Sequence, residues 1–311
     1  MGNTSPQFDG VVVGVDGSEQ GYAAARYAAE EAGRLAVRLH LVHVLPSAIP
    51  VTPEVVPVLP ESTLQAYGAG LLEHARALAV QVDRDVDLET HLLSGARASE
   101  LVACAESARM IVLGSRRPRL LDRIWTGGTV TEVASSAACP VIVVPADWER
   151  TPHGRIVVGV APVEASGARR ELWDMAFPLA AERGAEMVVV HAWWLGGTYD
   201  AMVTDHGAAE HLQRARARLI EEELTAYRDS FPDVAVHVFV RHEEPAHALV
   251  RVSRGAELLL VQRPAAGRMA HHLGRVARAL LRHAHCPVVV VPQPRRAFGH
   301  EREDRAEALV R

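Results

Sequence analysis

The chain has 311 residues, more than the roughly 250–300 at which a single hydrophobic core stops growing, so two domains are expected. Its hydrophobic fraction of 49% and charged fraction of 23% are typical of a globular protein and exclude disorder along most of the chain. The net charge of −5 argues against a general nucleic-acid binder, and no apolar run approaches the ~20 residues that span a bilayer.

In the first half of the chain, short apolar runs alternate with helical stretches. The runs lack a polar-apolar alternation, which is typical of strands covered on both faces, and strand–helix–strand repeats predict a parallel sheet. Strands are predicted at Val11–Asp16, Leu39–Val44, Val86–Leu92, Met110–Gly114 and Val141–Val144. Helices are predicted at Ser18–Ala36, Ser62–Val82, Arg97–Ser107 and Gly128–Ala138.

The second half repeats the first at a spacing of about 147 residues. Ala138–Pro145 recurs as His285–Pro292, and Val11–Val15 recurs as Ile156–Val160. A period this long indicates duplicated domains rather than a solenoid, whose repeats run ~20–50 residues. Strands of the second copy are predicted near Ile156–Val160, Met187–His191, Val234–Val240, Leu258–Val261 and Val288–Val291.

The predicted fold is therefore α/β, with two tandem doubly wound parallel five-stranded sheets. We expect domain 1 at residues 1–147, domain 2 at 148–294, and a charged tail at 295–311. The apolar final strands need cover at their edges, so we expect the two copies to pack together as an intrachain pseudo-dimer. A homodimer of the whole chain is left open.

Polar residues follow the first strand of copy one, where ligands bind in open parallel sheets. Asp16 lies at the carboxyl tip of that strand, and Ser18 begins the next helix. Both side chains suit helix capping, since short oxygen-bearing groups satisfy free amides there. A ligand role is the alternative for Asp16.

The fourth strand leads into a glycine-bearing turn before a helix. Gly114 ends the strand, four arginines follow between residues 116 and 123, and Gly127, Gly128 and Thr129 open the helix. Free amides and the helix dipole favour a phosphate at such a point, with an arginine as counter-ion. An exposed basic loop whose glycines serve turns is the alternative reading.

These segments resemble the universal stress protein family over residues ~8–294, in two copies. The resemblance implies a Rossmann-like, adenine-nucleotide-binding fold, in which some members bind ATP and others do not. In copy one it rests on Val13–Ser18, Gly114–Arg116, Gly127 and the run from Cys139. In copy two it rests on Ala192–Trp194, Pro245–Leu249 and Ser253–Ala256.

The family's ATP-binding pattern is glycine, two residues, glycine, nine residues, glycine, then serine or threonine. Copy one keeps the outer glycines, Gly114 and Gly127, at this separation. Arg117 replaces the middle glycine and could bind phosphates directly, whereas Gly128 stands where the hydroxyl belongs and Thr129 comes one residue late.

The resemblance and the predicted geometry together give a site for ATP. Asp16 resembles the family's residue near the adenosine, and Val42 is expected beside it. The amides of Gly127, Gly128 and Thr129 are expected to hold the phosphates. The predicted binding residues are Asp16, Val42, Gly114, Ser115, Arg117, Gly127, Gly128 and Thr129.

Copy two departs further from the pattern, so ATP is predicted in the N-terminal copy only. Ala161 replaces the aspartate, Gln262 stands near the first glycine, and Arg275 follows Gly274. Nothing in copy two indicates a competent nucleotide pocket, although Gly274 and Arg275 could hold another anion.

Neither a metal site nor a catalytic site is predicted. His271, His272, His283 and His285 are close in sequence, but no carboxylate or cysteine ligand converges with them. No nucleophile elbow and no Walker loop occur. The proline-rich segment 46–60 is either a rigid connector or a lid over the pocket.

Cysteine spacing and the N-terminus predict a cytoplasmic protein. Cys104, Cys139 and Cys286 fit no disulfide framework, and residues 1–10 lack the features of a secretory signal. The leading function is a stress-response regulator that binds ATP. The alternatives are a ligand-free interaction scaffold and a slow ATP hydrolase, for which no general base is evident.

Overall fold

A computed structural model describes seven stretches of the chain and places ten strands and eight α-helices in them. The described residues are 7–46, 60–115, 128–149, 154–161, 169–195, 206–264 and 273–293. Two predicted site residues, Arg117 and Gly127, lie outside them, as do residues 47–59 of the proline-rich segment and the predicted tail.

Copy one contains the predicted alternation of strands and helices. No predicted strand bound is off by more than two residues, whereas α3 ends three residues earlier than predicted. The strands are β1 (Gly10–Gly14), β2 (Arg38–Leu45), β3 (Leu88–Ser94), β4 (Met110–Ser115) and β5 (Val141–Pro145). The helices are α1 (Glu19–Leu35), α2 (Glu61–Val82), α3 (Arg97–Cys104) and α4 (Thr129–Ser136).

Copy two has the same element order, apart from a short 3₁₀ turn at Ser253–Gly255. Its strands are β6 (Arg155–Gly159), β7 (Glu186–Trp193), β8 (Val236–His242), β9 (Leu258–Gln262) and β10 (Val288–Val291). Its helices are α5 (Arg170–Arg183), α6 (His206–Ser230), α7 (Pro245–Val252) and α8 (Arg275–His283).

All ten strands form one sheet, in the order β3-β2-β1-β4-β5-β10-β9-β6-β7-β8. The pairs within each copy are parallel, as predicted. The two halves join where β5 and β10 pair antiparallel, with Val141 opposite Val290 and Val143 opposite Val288. This pairing confirms the expectation that the two copies pack together, but it joins the two predicted five-stranded sheets into a single sheet of ten strands.

Helices cover both faces of the sheet and divide the core into two layers. Alternate residues of each strand point to opposite faces, so Val11 and Val13 of β1 pack with α1 and α2, whereas Val12 packs with α3 and α4. In copy two, α5 and α6 share the first layer, and α7 and α8 share the second. Both layers run across the junction between the copies, which makes the core continuous.

A buried ionic cluster also links the copies. Arg183 of α5, whose side chain is 5% exposed, donates to Glu31 of α1 at 2.5 Å and to Glu257 at 2.6 Å. Arg34 also donates to both oxygens of Glu31, at 2.8 Å. Burial and the Glu31 charge raise the pKa of the neighbouring Tyr27 phenol. A buried charge is tolerated only when it is paired, so this cluster fixes how α1 and α5 meet.

No helix in the described ranges is long and apolar enough to cross a bilayer.

Candidate functional site

The strand order reverses between β1 and β4, which are neighbours as predicted. Ligands of open α/β sheets bind beyond the carboxyl ends of the strands at such a point. A small cavity of about 90 Å³ lies there. Its lining includes Asp16, Val42, Gly114 and Thr129 of the predicted site.

Asp16 is exposed at the tip of β1 and organises the turn into α1. Its Oδ1 accepts from the Ser18 amide at 3.0 Å and from the Ser18 hydroxyl at 2.5 Å. Gly17 between them has a φ of +81°, which a side chain would disfavour. Ser18 in turn caps α1 by accepting from the Gly21 amide, as its capping reading predicts. Among the described residues, Oδ2 of Asp16 has no hydrogen-bond partner and remains available for a ligand.

Val42 and His43 hold the end of β1 in place. The Val15 amide donates to the Val42 carbonyl at 2.8 Å, and the Val42 side chain is buried in the cavity wall. His43 places Nδ1 at 2.7 Å from the Val15 carbonyl. A carbonyl only accepts, so Nδ1 of His43 carries the proton.

Gly114 is required by packing between β4 and α1. A Cβ on this residue would lie 2.2 Å from the carbonyl oxygen of Gln20 at the start of α1. The glycine therefore brings the tip of β4 against the first turn of α1. The next residue, Ser115, is buried, and its hydroxyl donates to the Leu281 carbonyl of α8 at 2.9 Å. In this structure Ser115 bridges the two copies and does not line the small cavity.

The N-terminus of α4 forms the far wall of the cavity. Gly128 is the N-cap residue and makes no side-chain cap, and its carbonyl accepts the amides of Thr131 and Glu132. The first amides of a helix have no intrahelical acceptor, so those of Thr129 and Val130 are available to an anion. Both residues line the cavity.

Arg97 supplies a cation to the same cavity. It was not among the predicted site residues. It is the first residue of α3 and is exposed at the cavity rim. In the described part of the chain it makes no ion pair. The carboxyl end of β3 lies at the same edge of the sheet, but the packing of α3 is what places Arg97 at this cavity.

Copy two has a larger cavity, of about 430 Å³, at the tips of β6 and β9. This cavity was not predicted, because hydrophobic side chains such as Trp194 and Leu195 form much of its wall. Gly274 and Arg275 line it, as their predicted position beside α8 requires. Ala161 takes the place of Asp16, so none of the described residues places a carboxylate at the tip of β6.

In copy two, Arg169, His191 and Arg216 contact other protein groups, whereas the Arg275 side chain on the cavity is exposed. Arg169 is 4% exposed, pairs through two nitrogens with the Glu223 carboxylate, and donates to the Ala161 carbonyl at 3.2 Å. His191 repeats the contact of His43, with Nδ1 at 3.0 Å from the Val160 carbonyl. Arg216 lies over the Trp193 ring and 3.3 Å from Nε2 of His191. Burial, with Arg216 and Arg169 nearby, lowers the pKa of His191.

The chain matches known sequences along both copies. A sequence model of the Universal stress protein family matches residues 7–145 and again 153–292. The chain belongs to the universal stress protein family.

Curated relatives agree with this assignment. The chain is 31% identical over 296 residues to universal stress protein Rv2005c of Mycobacterium tuberculosis, covering 91% of this chain and 97% of the relative. It is 29% identical over 305 residues to Rv1996 of the same species, covering 92% and 95%. The crystal structure of a universal stress protein from Archaeoglobus fulgidus superposes with a TM-score of 0.64 at 18% identity, covering 92% of this chain and 99% of that one, which supports the fold.

Proposed function

We propose that this universal stress protein is a cytoplasmic stress-response regulator that binds ATP in the crevice of copy one. The observation that carries the proposal is the convergence of three elements on one cavity. The tip of β1 brings the Asp16 carboxylate, α4 brings the amides of Thr129 and Val130, and α3 brings Arg97.

Each group has a chemical task in this proposal. The Oδ2 atom of Asp16 accepts a ribose hydroxyl, and Val42 packs near the adenosine. The α4 amides and the Arg97 guanidinium bind phosphate oxygens. An anion at a helix N-terminus gains only ~0.3–2 kcal/mol, so the amides and the guanidinium act together. Gly127 and Arg117 keep their proposed phosphate roles on the family resemblance alone.

The restriction to copy one follows from the charges at the two strand tips. Copy two presents Ala161 instead of a carboxylate, and Arg169 is held by Glu223. Among the described residues, a nucleotide there would meet no carboxylate for its ribose at the tip of β6. We therefore expect one ATP per chain.

Equilibrium dialysis with labelled ATP and isothermal titration test the proposal. We expect one site per chain, with competition by ADP showing whether the terminal phosphate contributes. At a hundredfold excess over Kd, ATP should stabilise the fold by ~2.7 kcal/mol. For a chain of 311 residues that unfolds as one unit, this corresponds to a rise in Tm of about 4 °C, at roughly 1.5 °C per kcal/mol.

Variants locate the site. Asp16→Ala and Arg97→Ala should each weaken ATP binding, and Gly127→Arg should abolish the Tm shift while leaving the ligand-free Tm nearly unchanged. Arg275→Ala in copy two is the matched control and should bind ATP as the wild type does. Two equivalent sites, or equal losses from Arg275→Ala and Arg97→Ala, would contradict the restriction to copy one.

The scaffold and hydrolase readings have their own outcomes. A chain that shows no Tm shift with millimolar ATP acts as a ligand-free interaction protein. Phosphate released over hours, and lost in Asp16→Ala, would indicate slow hydrolysis.

A further inference from the structure

Three potential metal ligands meet on the sheet of copy one, away from the nucleotide crevice. His40 of β2 lies directly opposite Glu89 of the edge strand β3, and His91 follows two residues after Glu89. Residues at i and i+2 of a strand share a face, so the register brings all three side chains together. They form the only group of three metal-ligating side chains found among the described residues.

The three donor atoms form a compact triangle. Nδ1 of His40 lies 3.0 Å from Nε2 of His91, and Oε2 of Glu89 lies 3.8 Å and 3.7 Å from these two nitrogens. A point about 2 Å from all three atoms exists within such a triangle, and zinc bonds to histidine and carboxylate are about 2.0–2.2 Å long. The side chains thus hold the spacing of a metal site without rearrangement.

His40 is costly as a purely structural residue. Its side chain is completely buried, and Nε2 has no hydrogen-bond partner among the described residues. A buried polar atom without a partner destabilises a fold. In copy two, Val188 of β7 stands at the position of His40, and its partner on β8 is His237, at the position of Glu89. Phe239 stands at the position of His91. The apolar strand of copy two shows that the fold itself does not need a histidine here.

The surroundings suit a divalent cation. Arg38 binds Oε1 of Glu89 at 2.8 Å and so leaves Oε2 directed to the histidines, while Asp87 pairs with the same arginine at 2.9 Å. The Asp9 carboxylate lies 3.7 Å from Nε2 of His40. Three carboxylates and one guanidinium give a net negative charge around the histidines, which favours a bound cation.

We propose that His40, Glu89 and His91 bind one divalent transition metal ion per chain, with Zn²⁺ as the ion that fits best. Two histidines and one glutamate are a known zinc ligand set that leaves a fourth position open. The ion would link the edge strand β3 to β2. The proposal is independent of ATP binding.

An ion can reach the three side chains from solvent. Glu89 is half-exposed and gives the ion a path from solvent.

The test uses the untagged full-length chain after removal of metals. Zn²⁺ is titrated in competition with a chromophoric chelator, and Co²⁺ is added separately to record its visible d–d band. We expect one Zn²⁺ site per chain and a Co²⁺ band of tetrahedral intensity. Glu89→Gln, at an exposed position, and His40→Val, which introduces the residue of copy two, should each weaken Zn²⁺ binding at least about tenfold.

Controls separate this site from weak binding by surface histidines. His237→Gln, at the matching position of copy two, should bind Zn²⁺ as the wild type does. His40→Val should keep or raise the Tm of the metal-free protein, because it removes an unpaired buried nitrogen, whereas the wild-type Tm alone should rise with Zn²⁺. Equal Zn²⁺ affinity in wild type, Glu89→Gln and His40→Val, or no Co²⁺ band, would overturn the proposal and leave a histidine–histidine hydrogen bond.

Discussion

The crevices of the two copies share a backbone and differ in chemistry. In both, a histidine of the second strand binds the carbonyl at the end of the first, through His43 in copy one and His191 in copy two. In copy one the tip carries an exposed carboxylate and a small cavity. In copy two it carries alanine, a paired arginine and a cavity of about 430 Å³.

The comparison shows that the larger cavity is not the one with more polar groups available to a ligand. The larger cavity has walls of tryptophan and leucine. Of the three arginines that line it among the described residues, Arg169 and Arg216 contact other protein groups and Arg275 is exposed. The smaller one has Asp16, Arg97 and unpaired helix amides around it. Specific recognition depends on a few well-placed polar groups, so under the proposed function the nucleotide is expected in the smaller cavity rather than in the larger one.

The largest expected effect tests whether the copies are one thermodynamic unit. Arg183→Met leaves Glu31 and Glu257 without their shared partner and should lower the free energy of unfolding by about 3–5 kcal/mol. Chemical denaturation followed by circular dichroism measures it, and a single transition is expected. Arg214→Met, in an exposed pair with Glu210, should change stability by less than about 0.5 kcal/mol.

The double variant Glu31→Met with Arg183→Met gives a second check. Removing both charges should recover part of the loss, because two apolar side chains need no partners. Two separate transitions in the wild type would show that the copies unfold independently.

The next effect concerns the fourth strand of each copy. Gly114→Ala forces a Cβ against the Gln20 carbonyl and should cost about 1–3 kcal/mol. Gln262 has the same register in copy two, and Gln262→Ala removes a 3.2 Å hydrogen bond to Glu171, worth about 1 kcal/mol or less. Urea denaturation of both variants compares them. Equal losses would mean that the two strand tips pack alike.

The third effect is the pH dependence that His191 gives to copy two. Its folded pKa is lowered, so the unfolded chain binds the proton more readily. The contribution of neutral His191 to the free energy of unfolding is fully present above the unfolded pKa of about 6.5. It is lost as pH falls below that value, by at most about 1.4 kcal/mol per pH unit for one histidine. Denaturation between pH 7 and 5 should show a shallower loss in His191→Asn, which keeps a donor for the Val160 carbonyl.

Arg216→Met is a second variant that tests the same pH dependence. It removes a charge that disfavours the imidazolium, so it should also reduce the loss of stability at low pH. An unchanged pH dependence in both variants would place the sensitivity elsewhere, such as His40 and His91.

The smallest effect concerns the helix that follows each first strand. Ser18 caps α1, and Ser18→Ala should cost about 1 kcal/mol. In copy two, Arg169 stands at the N-cap of α5 and makes no side-chain cap. Thermal melting of Ser18→Ala measures this loss. A decrease of less than about 0.3 kcal/mol in the free energy of unfolding would contradict the capping role of Ser18.

Much of the fold could be predicted because its signals are local. The apolar runs around Val12, Val112 and Val143 predict strands, and the repeat around Cys139 and Cys286 indicates the duplication. Helix ends were less accurate, since the last turn of α3 gives way to a turn that periodicity does not reveal. The antiparallel junction was expected only as cover for the final strands.

The candidate sites show where sequence reasoning fails. Asp16 and Thr129 could be placed because strand tips converge at a known point of the topology. Arg97 was missed because its place depends on how α3 packs. His40 and His91 were missed because 51 residues separate them and only the register of β2 with β3 brings them together. Contacts between strands depend on pairing, which spacing along the chain does not encode.

The antiparallel junction of β5 and β10 has a consequence for stoichiometry. When identical subunits pair through such strands, symmetry gives every site a duplicate, and any substitution appears twice. Here the two partners are halves of one polypeptide, so a change at Asp16 alters one crevice and leaves the other as it was. Each molecule thus carries its two unlike crevices in a fixed one-to-one ratio, whatever its concentration in the cell.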